Sequence, residues 1–170
     1  MILRCTAKAL RVLGRDGATV HRDLASGVDD WYLNLLWVRR RKCLLLVHVG
    51  TLFPVFAWDV RVRDLRPVGP YVVSQIETAL GDEGLPRDWL GDLASQPVLI
   101  ANTADRRVLG FMNDMARSVH YWAAEDASSS DALDTINRDL RRGLHNRSGT
   151  YASPINLVKE WDGRPGGASS

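Results

Sequence analysis

At 170 residues, with 45% hydrophobic and 25% charged residues, the chain is long enough to bury one core and too apolar to stay disordered. Its 22 basic and 20 acidic residues leave a formal charge of +2, too even a balance for a long-range field that would capture nucleic acid or anionic lipid, so any basic site must be local. Cys5 and Cys43 both fall in apolar runs and read as buried free thiols in a reducing compartment. The first residues lack a signal-peptide pattern and no run approaches the roughly 20 apolar residues of a membrane helix, so the expected setting is the cytoplasm, without membrane association.

Met1 to Cys5 reads as a short strand, after which Thr6 caps a helix with Ala9, Leu10 and Leu13 on one side and Gly14 as its stop. The polar stretch from Arg15 to Asp30 reads as a loop. Trp31 to Val38 and Cys43 to Val49 are strand-like runs separated by Arg39, Arg40, Arg41 and Lys42. They predict an antiparallel hairpin, although the joint lacks the Asn-Gly or Asp-Gly pair that signals one most strongly. Gly50-Thr51 then turns the chain into Leu52 to Trp58, where Pro54 removes a ladder donor and predicts an edge strand or a bulge. The three runs make a meander that pairs with the first strand.

Asp64 is expected to cap a helix that passes irregularly through Pro67, Gly69 and Pro70 into the stripe Val72, Val73, Ile76, Ala79 and Leu80, ending at Gly81. A short helix over Pro86 to Leu93 and a strand over Val98 to Ala101 follow. Asn102-Thr103-Ala104-Asp105 is rich in capping side chains and opens the best-patterned helix of the chain, in which Val108, Met112, Met115, Val119 and Trp122 recur at helical spacing. A serine-rich break over Ala127 to Ser130 leads to a further helix, from about Asp131 to Leu144, with Leu133, Ile136 and Leu140 inward. Pro154 starts a last short helix ending near Trp161. Residues 163–170 read as a disordered tail, which leaves a single globular domain over 1–162.

The polar face of the well-patterned helix is unlike an ordinary charged surface. At about 100° per residue, Arg106, Gly110, Asn113, Arg117 and Tyr121 gather opposite Val108, with Arg107 and Asp114 on one flank. Glycine in a helix interior costs about 1 kcal/mol relative to alanine, so something is expected to approach closely at Gly110. Close packing of a neighbouring element of the same domain is the first explanation weighed. A partner protein, or a phosphate or nucleotide drawn to the arginines, is the other.

Arg39 to Lys42 is a candidate phosphate contact at a hairpin tip, against the plainer reading of a solvated turn that blunts strand aggregation. Trp31, Tyr32 and Trp37 offer candidate base-stacking faces, against the plainer reading of core aromatics. His21, His48, His120 and His145 are scattered without metal-ligand spacing, and the cysteines lack a CxxC, so no metal site is expected. No GxxxxGK[ST], helix-opening GxGxxG or GxSxG occurs, which lowers the prospect of the common nucleotide-hydrolysing and lipase-like chemistries; no cofactor is expected. A composite acid–base pair of His48 or His120 with Asp114 stays open, with no catalytic residue assigned.

Three segments carry a family resemblance: M-I-L-R-C-T-A-K at the start, W-Y-L-N-L-L-W-V-R-R-R-K-C-L-L-L-V-H-V-G-T-L-F in the middle and N-T-A-D-R-R-V-L-G-F-M-N-D later. Together with a weaker S-P-I-N-L-V near the C-terminus, they resemble a family of small bacterial and phage proteins known only as a domain of unknown function. The likeness runs from Met1 to about Trp122, and its motif is N-x-x-[DN]-R-[RS]-V-L-G-x-M-N-D. The resemblance implies a shared site at Arg106, Arg107, Gly110, Asn113 and Asp114 and names no reaction. Phe111 stands where such proteins often show a small polar residue, and His48 where threonine or asparagine is expected.

The fold expected is α+β, with an antiparallel or mixed sheet of four to five strands and helices packed on it. The function expected is that of a small cytosolic binding domain that contacts a partner protein or nucleic acid through the Arg106 to Arg117 helix face, in a prokaryotic mobile-element or phage-defence setting. The alternatives are a small enzyme acting on RNA or a nucleotide, and a structural homo-oligomer that uses the same face.

Overall fold

The computed structural model describes residues 1–13, 19–123, 129–147 and 149–162. In chain order the elements are β1 (Ile2–Cys5), α1 (Ala7–Leu13), β2 (Val20–His21), β3 (Trp31–Val38), β4 (Arg41–His48), β5 (Pro54–Ala57), a 3-10 turn (Val62–Leu65), α2 (Val68–Asp82), β6 (Leu99–Asn102), α3 (Arg106–Trp122), α4 (Ser130–Arg142), β7 (His145–Arg147), β8 (Thr150–Ala152) and α5 (Pro154–Lys159). The class is α+β, around a mixed six-stranded sheet in the order β2-β6-β1-β3-β4-β5. β2, β6, β1 and β3 run parallel, and β4 and β5 continue antiparallel as the meander expected from the sequence.

The sheet has six strands rather than four or five because β2 is a two-residue strand inside the stretch read as a loop, too short to show alternation. The small β7–β8 hairpin was not anticipated for the same reason. The turns after Pro86 also correct the expected helix over Pro86 to Leu93: Gly91 has φ of +99°, outside the helical region. Asp64 does not cap a long helix either. Its carboxylate accepts the Arg61 N–H (2.9 Å) within the 3-10 turn, and α2 begins after the cis Arg66–Pro67 bond. The Gly14 stop, the start of the serine-rich break and the tail over 163–170 lie outside the described residues.

Helices cover both faces of the sheet, which explains why β3 and β4 read as nearly continuous apolar runs. Strand alternation sends Leu3, Cys5, Trp31, Leu33, Leu35, Leu44 and Leu46 to one core, filled from α1, α2 and α5. Tyr32, Leu36, Cys43, Leu45 and Val47 point into the other, filled by Val108, Met112, Met115 and Val119 of α3 and Ile136 and Leu140 of α4. Cys5 and Cys43 are thus buried free thiols on opposite faces; burial pushes the Cys5 thiol up to about 12 and raises that of Cys43.

The β3–β4 joint is a two-residue turn, with Val38 paired to Arg41. Its central residues Arg39 and Arg40 have φ of 47° and 63°, the positive values that normally call for Asn-Gly and cost a side-chain-bearing residue roughly 1 kcal/mol each. At the far edge, β5 is covered by α4. Asn137 donates through Nδ2 to the Phe56 carbonyl and accepts the Phe56 N–H at Oδ1 (both 2.9 Å), completing the edge as a strand would. Beside it, Arg141 and Arg142 hold Glu83 at the end of α2, with the nearest contacts at 3.1 and 2.9 Å, and Arg141 stacks over Phe53.

Candidate functional site

α3 takes its position from both ends of the sheet chemistry. Asp105 caps it by accepting the Arg107 N–H (2.8 Å), and the buried Tyr32 hydroxyl accepts the Ala104 and Asp105 N–H groups (3.0 and 2.7 Å). Its apolar stripe sinks Met112 and Val119 fully into the core, which turns Arg106, Arg107, Gly110, Asn113, Asp114 and Arg117 outward. The helical-face geometry read from the sequence is therefore observed over Arg106 to Val119, whereas Trp122, expected to close the apolar stripe, stands 38% exposed as the last residue of α3. Two ion pairs lie on it: Arg107 with Asp105 (3.5 Å) and Arg117 with Asp114.

The explanation for Gly110 that invoked packing within the domain is overturned. Among the described residues, a Cβ added there would meet nothing within 4 Å beyond its own helical turn. Instead Gly110 lines a cleft of about 520 Å³ with Arg107, Phe111 and Asp114 on one wall and the segments around Gly27 and Gly50 on the other. Arg106, Asn113 and Arg117 lie on the same helix outside this lining, so the cleft and the outer face adjoin.

The wall opposite α3 is built by a residue the sequence reading passed over. Arg4 of β1 is buried, pairs with buried Asp30 (2.5 Å), and donates to the carbonyls of Leu24 (3.0 Å), Ala25 (2.7 Å) and Asn102 (3.1 Å). Asp30 in turn accepts the Gly27 N–H (3.0 Å). One guanidinium thus ties the Leu24–Asp30 loop to the end of β6, where α3 begins. The available signal was an arginine between Leu3 and Cys5 in a short apolar strand, a position that demands a partner.

The histidines separate by face. His48 lies on the α2 side, wedged between Trp31 and Trp161 at ring distances of 5.1 and 5.3 Å, so it does not meet Asp114 and Arg107 in the cleft. Its Nδ1 bonds Thr51 Oγ1 (2.9 Å), and burial drives its pKa down to about 3. The histidine that does feel Asp114 is His145, packed edge-on against Phe111 (5.6 Å); burial lowers its pKa and the Asp114 charge pulls it back up. Neighbouring Asn146 reaches the cleft lining. Sequence spacing could not reveal either, because β7 joins α3 only through the fold. Among the described residues, no three His, Cys, Asp or Glu side chains converge in a way that could hold a metal ion, and no helix is long and apolar enough to cross a membrane.

The candidate phosphate contacts Arg39, Arg40, Arg41 and Lys42 stand at the exposed end of the β3–β4 hairpin, apart from the cleft. Arg41 pairs with Asp59 (3.1 Å) and Lys42 lies over the Trp37 ring (5.6 Å). Of the three aromatic residues of β3, Trp31 and Tyr32 are core residues at its far end and Trp37, beside the tip, is exposed.

The family model described as "Domain of unknown function (DUF6933)" matches residues 2–157. The chain belongs to this family. The match extends beyond the stretch that carried the sequence resemblance, taking in α4, the β7–β8 hairpin and the start of α5. In the DUF6933 fold of this chain, both walls of the cleft and the whole hairpin tip fall inside the matched residues. None of the curated proteins matches the chain.

Proposed function

We propose that this DUF6933 chain is a binding module that receives a partner protein on the outer face of α3 and in the adjoining cleft. The observation that carries the reading is Gly110, a helix-interior glycine that opens onto the cleft, where an added Cβ would meet nothing within 4 Å among the described residues beyond its own helical turn. A residue that weakens its own helix and packs against nothing is explained by an incoming backbone or side chain that needs the space.

Charge favours protein over nucleic acid at this face. Arg107 and Arg117 are each paired with a carboxylate, Asp105 and Asp114, and those carboxylates would repel phosphate while suiting a partner with mixed charge. The setting proposed is the prokaryotic cytoplasm, in a mobile-element or phage-defence context. Two copies of the chain meeting through α3, or catalysis at Asp114 and His145, are the competing outcomes.

The test compares affinity capture by the wild-type chain, a Gly110→Leu variant that fills the cleft, and an Arg106→Ala, Arg107→Ala, Asn113→Ala variant. A protein retained by the wild type and lost from both equally folded variants supports the reading. Equal recovery by all three defeats it, and a wild-type mass twice that of the chain in light scattering, halved in the variants, transfers the face to self-association.

A further inference from the structure

Among the described residues of the six-stranded sheet, Trp37 is the one large hydrophobic side chain left exposed, at 59%. It pairs across the hairpin with Lys42, whose Nζ lies 5.6 Å from the ring centroid. The cation enriches the aromatic surface without hiding it. The two residues that follow in space, Arg39 and Arg40, are exposed, and among the described residues neither has a carboxylate partner. Of the four cations at this tip, only Arg41 has a carboxylate partner, Asp59, among the described residues.

The backbone makes the arrangement harder to dismiss as a solvated turn. Arg39 and Arg40 both sit at positive φ in a two-residue turn where Asn-Gly would fit without strain. Local rules broken without a compensating contact in the fold mark positions kept for another reason. What is kept here is a pair of guanidinium groups, whose forked donors match phosphate oxygens, beside an open indole face on which a base can stack.

We propose that the β3–β4 hairpin tip binds single-stranded nucleic acid, with a base stacked on Trp37 and backbone phosphates held by Arg39 and Arg40. Duplexes are disfavoured, because a base must be free of its own stack to lie on the indole. A membrane surface fits less well: among the described residues, Trp37 is the one exposed large hydrophobic side chain of the hairpin, which gives little to insert, and the cations alone give only weak, screened attachment. The tip belongs to the opposite end of β3 from the cleft, so the site stands or falls independently of the partner-protein reading.

The experiment measures fluorescence anisotropy of labelled short oligothymidylate and oligouridylate with the whole chain across a salt series. Flotation with phosphatidylserine vesicles runs beside it. The wild type is expected to bind the oligonucleotides and to leave the vesicles unbound. Trp37→Ala, at an exposed position, is expected to fold normally and bind about tenfold more weakly. The double variant Arg39→Asn, Arg40→Gly relieves the positive-φ turn, so it is expected to melt at a higher temperature while binding more weakly, with a salt slope smaller by about 1.4. Absence of oligonucleotide binding at low salt overturns the proposal. So do unchanged affinities in both folded variants, or vesicle binding without oligonucleotide binding.

Discussion

At Gly50 an added Cβ would lie 2.4 Å from Trp161 Cη2 and 2.9 Å from the Val28 carbonyl, whereas at Gly110 it would meet open space. The first glycine lets the turn after β4 close under an indole, and the second leaves a gap in a helix surface. Gly50→Ala is therefore expected to cost about 1–3 kcal/mol through forced displacement of Trp161, read as a lower urea midpoint. Gly110→Ala is expected to gain about 1 kcal/mol in the same measurement, since it only improves helix propensity. His48 adds a pH term. Its Nε2 is buried with no hydrogen-bond partner among the described residues, so protonation would place an unsatisfied N–H and a charge between two tryptophans. Because the folded chain holds this group at about 3 while the unfolded value is 6.5, the unfolded state binds the extra proton between these limits. That contribution is complete above pH 6.5 and is lost as pH falls towards 3. In His48→Gln the stability lost per pH unit in that window should shrink by about 1.4 kcal/mol; an unchanged slope would mean the ring is solvated.

At the scale of elements, α4 does for β5 what another strand would do. Asn137→Ala removes both bonds to Phe56 and leaves its N–H and carbonyl unpaired in a partly buried edge, an expected loss of about 1–3 kcal/mol in chemical unfolding. Glu83→Gln leaves buried Arg141 without its counter-ion, and an expected loss of about 3–5 kcal/mol follows. Burial alone would raise the Glu83 carboxyl, but hydrogen bonds and charges from Arg142 and Arg141 bring it below the usual range. What the sequence revealed followed the same division. The α3 stripe and the Pro54 edge strand were legible because periodicity and a missing donor are local. The parallel pairing of β6 between β1 and β2, the Arg4 hub and the approach of His145 to Asp114 depend on contacts between distant segments. The helix expected over Pro86 to Leu93 gives way to turns from its start, and Gly91 leaves the helical region with a positive φ that no hydrophobic count can disclose.

At the scale of the whole molecule, two surface features among the described residues hold the groups on which the proposed contacts rest. One is the α3 face with its cleft, held at its far wall by Arg4 and at its near end by Tyr32. The other is the cationic hairpin tip at the opposite end of β3. Both are proposed as contact surfaces, and the first carries the proposed function. The measurement that tests it most directly is titration calorimetry of the captured partner against wild-type and Gly110→Leu chains of matched stability. The account requires binding by the wild type and its loss, by at least tenfold, in the variant. Equal affinity for both chains would contradict it and return Gly110 to the status of an unused gap in the helix surface.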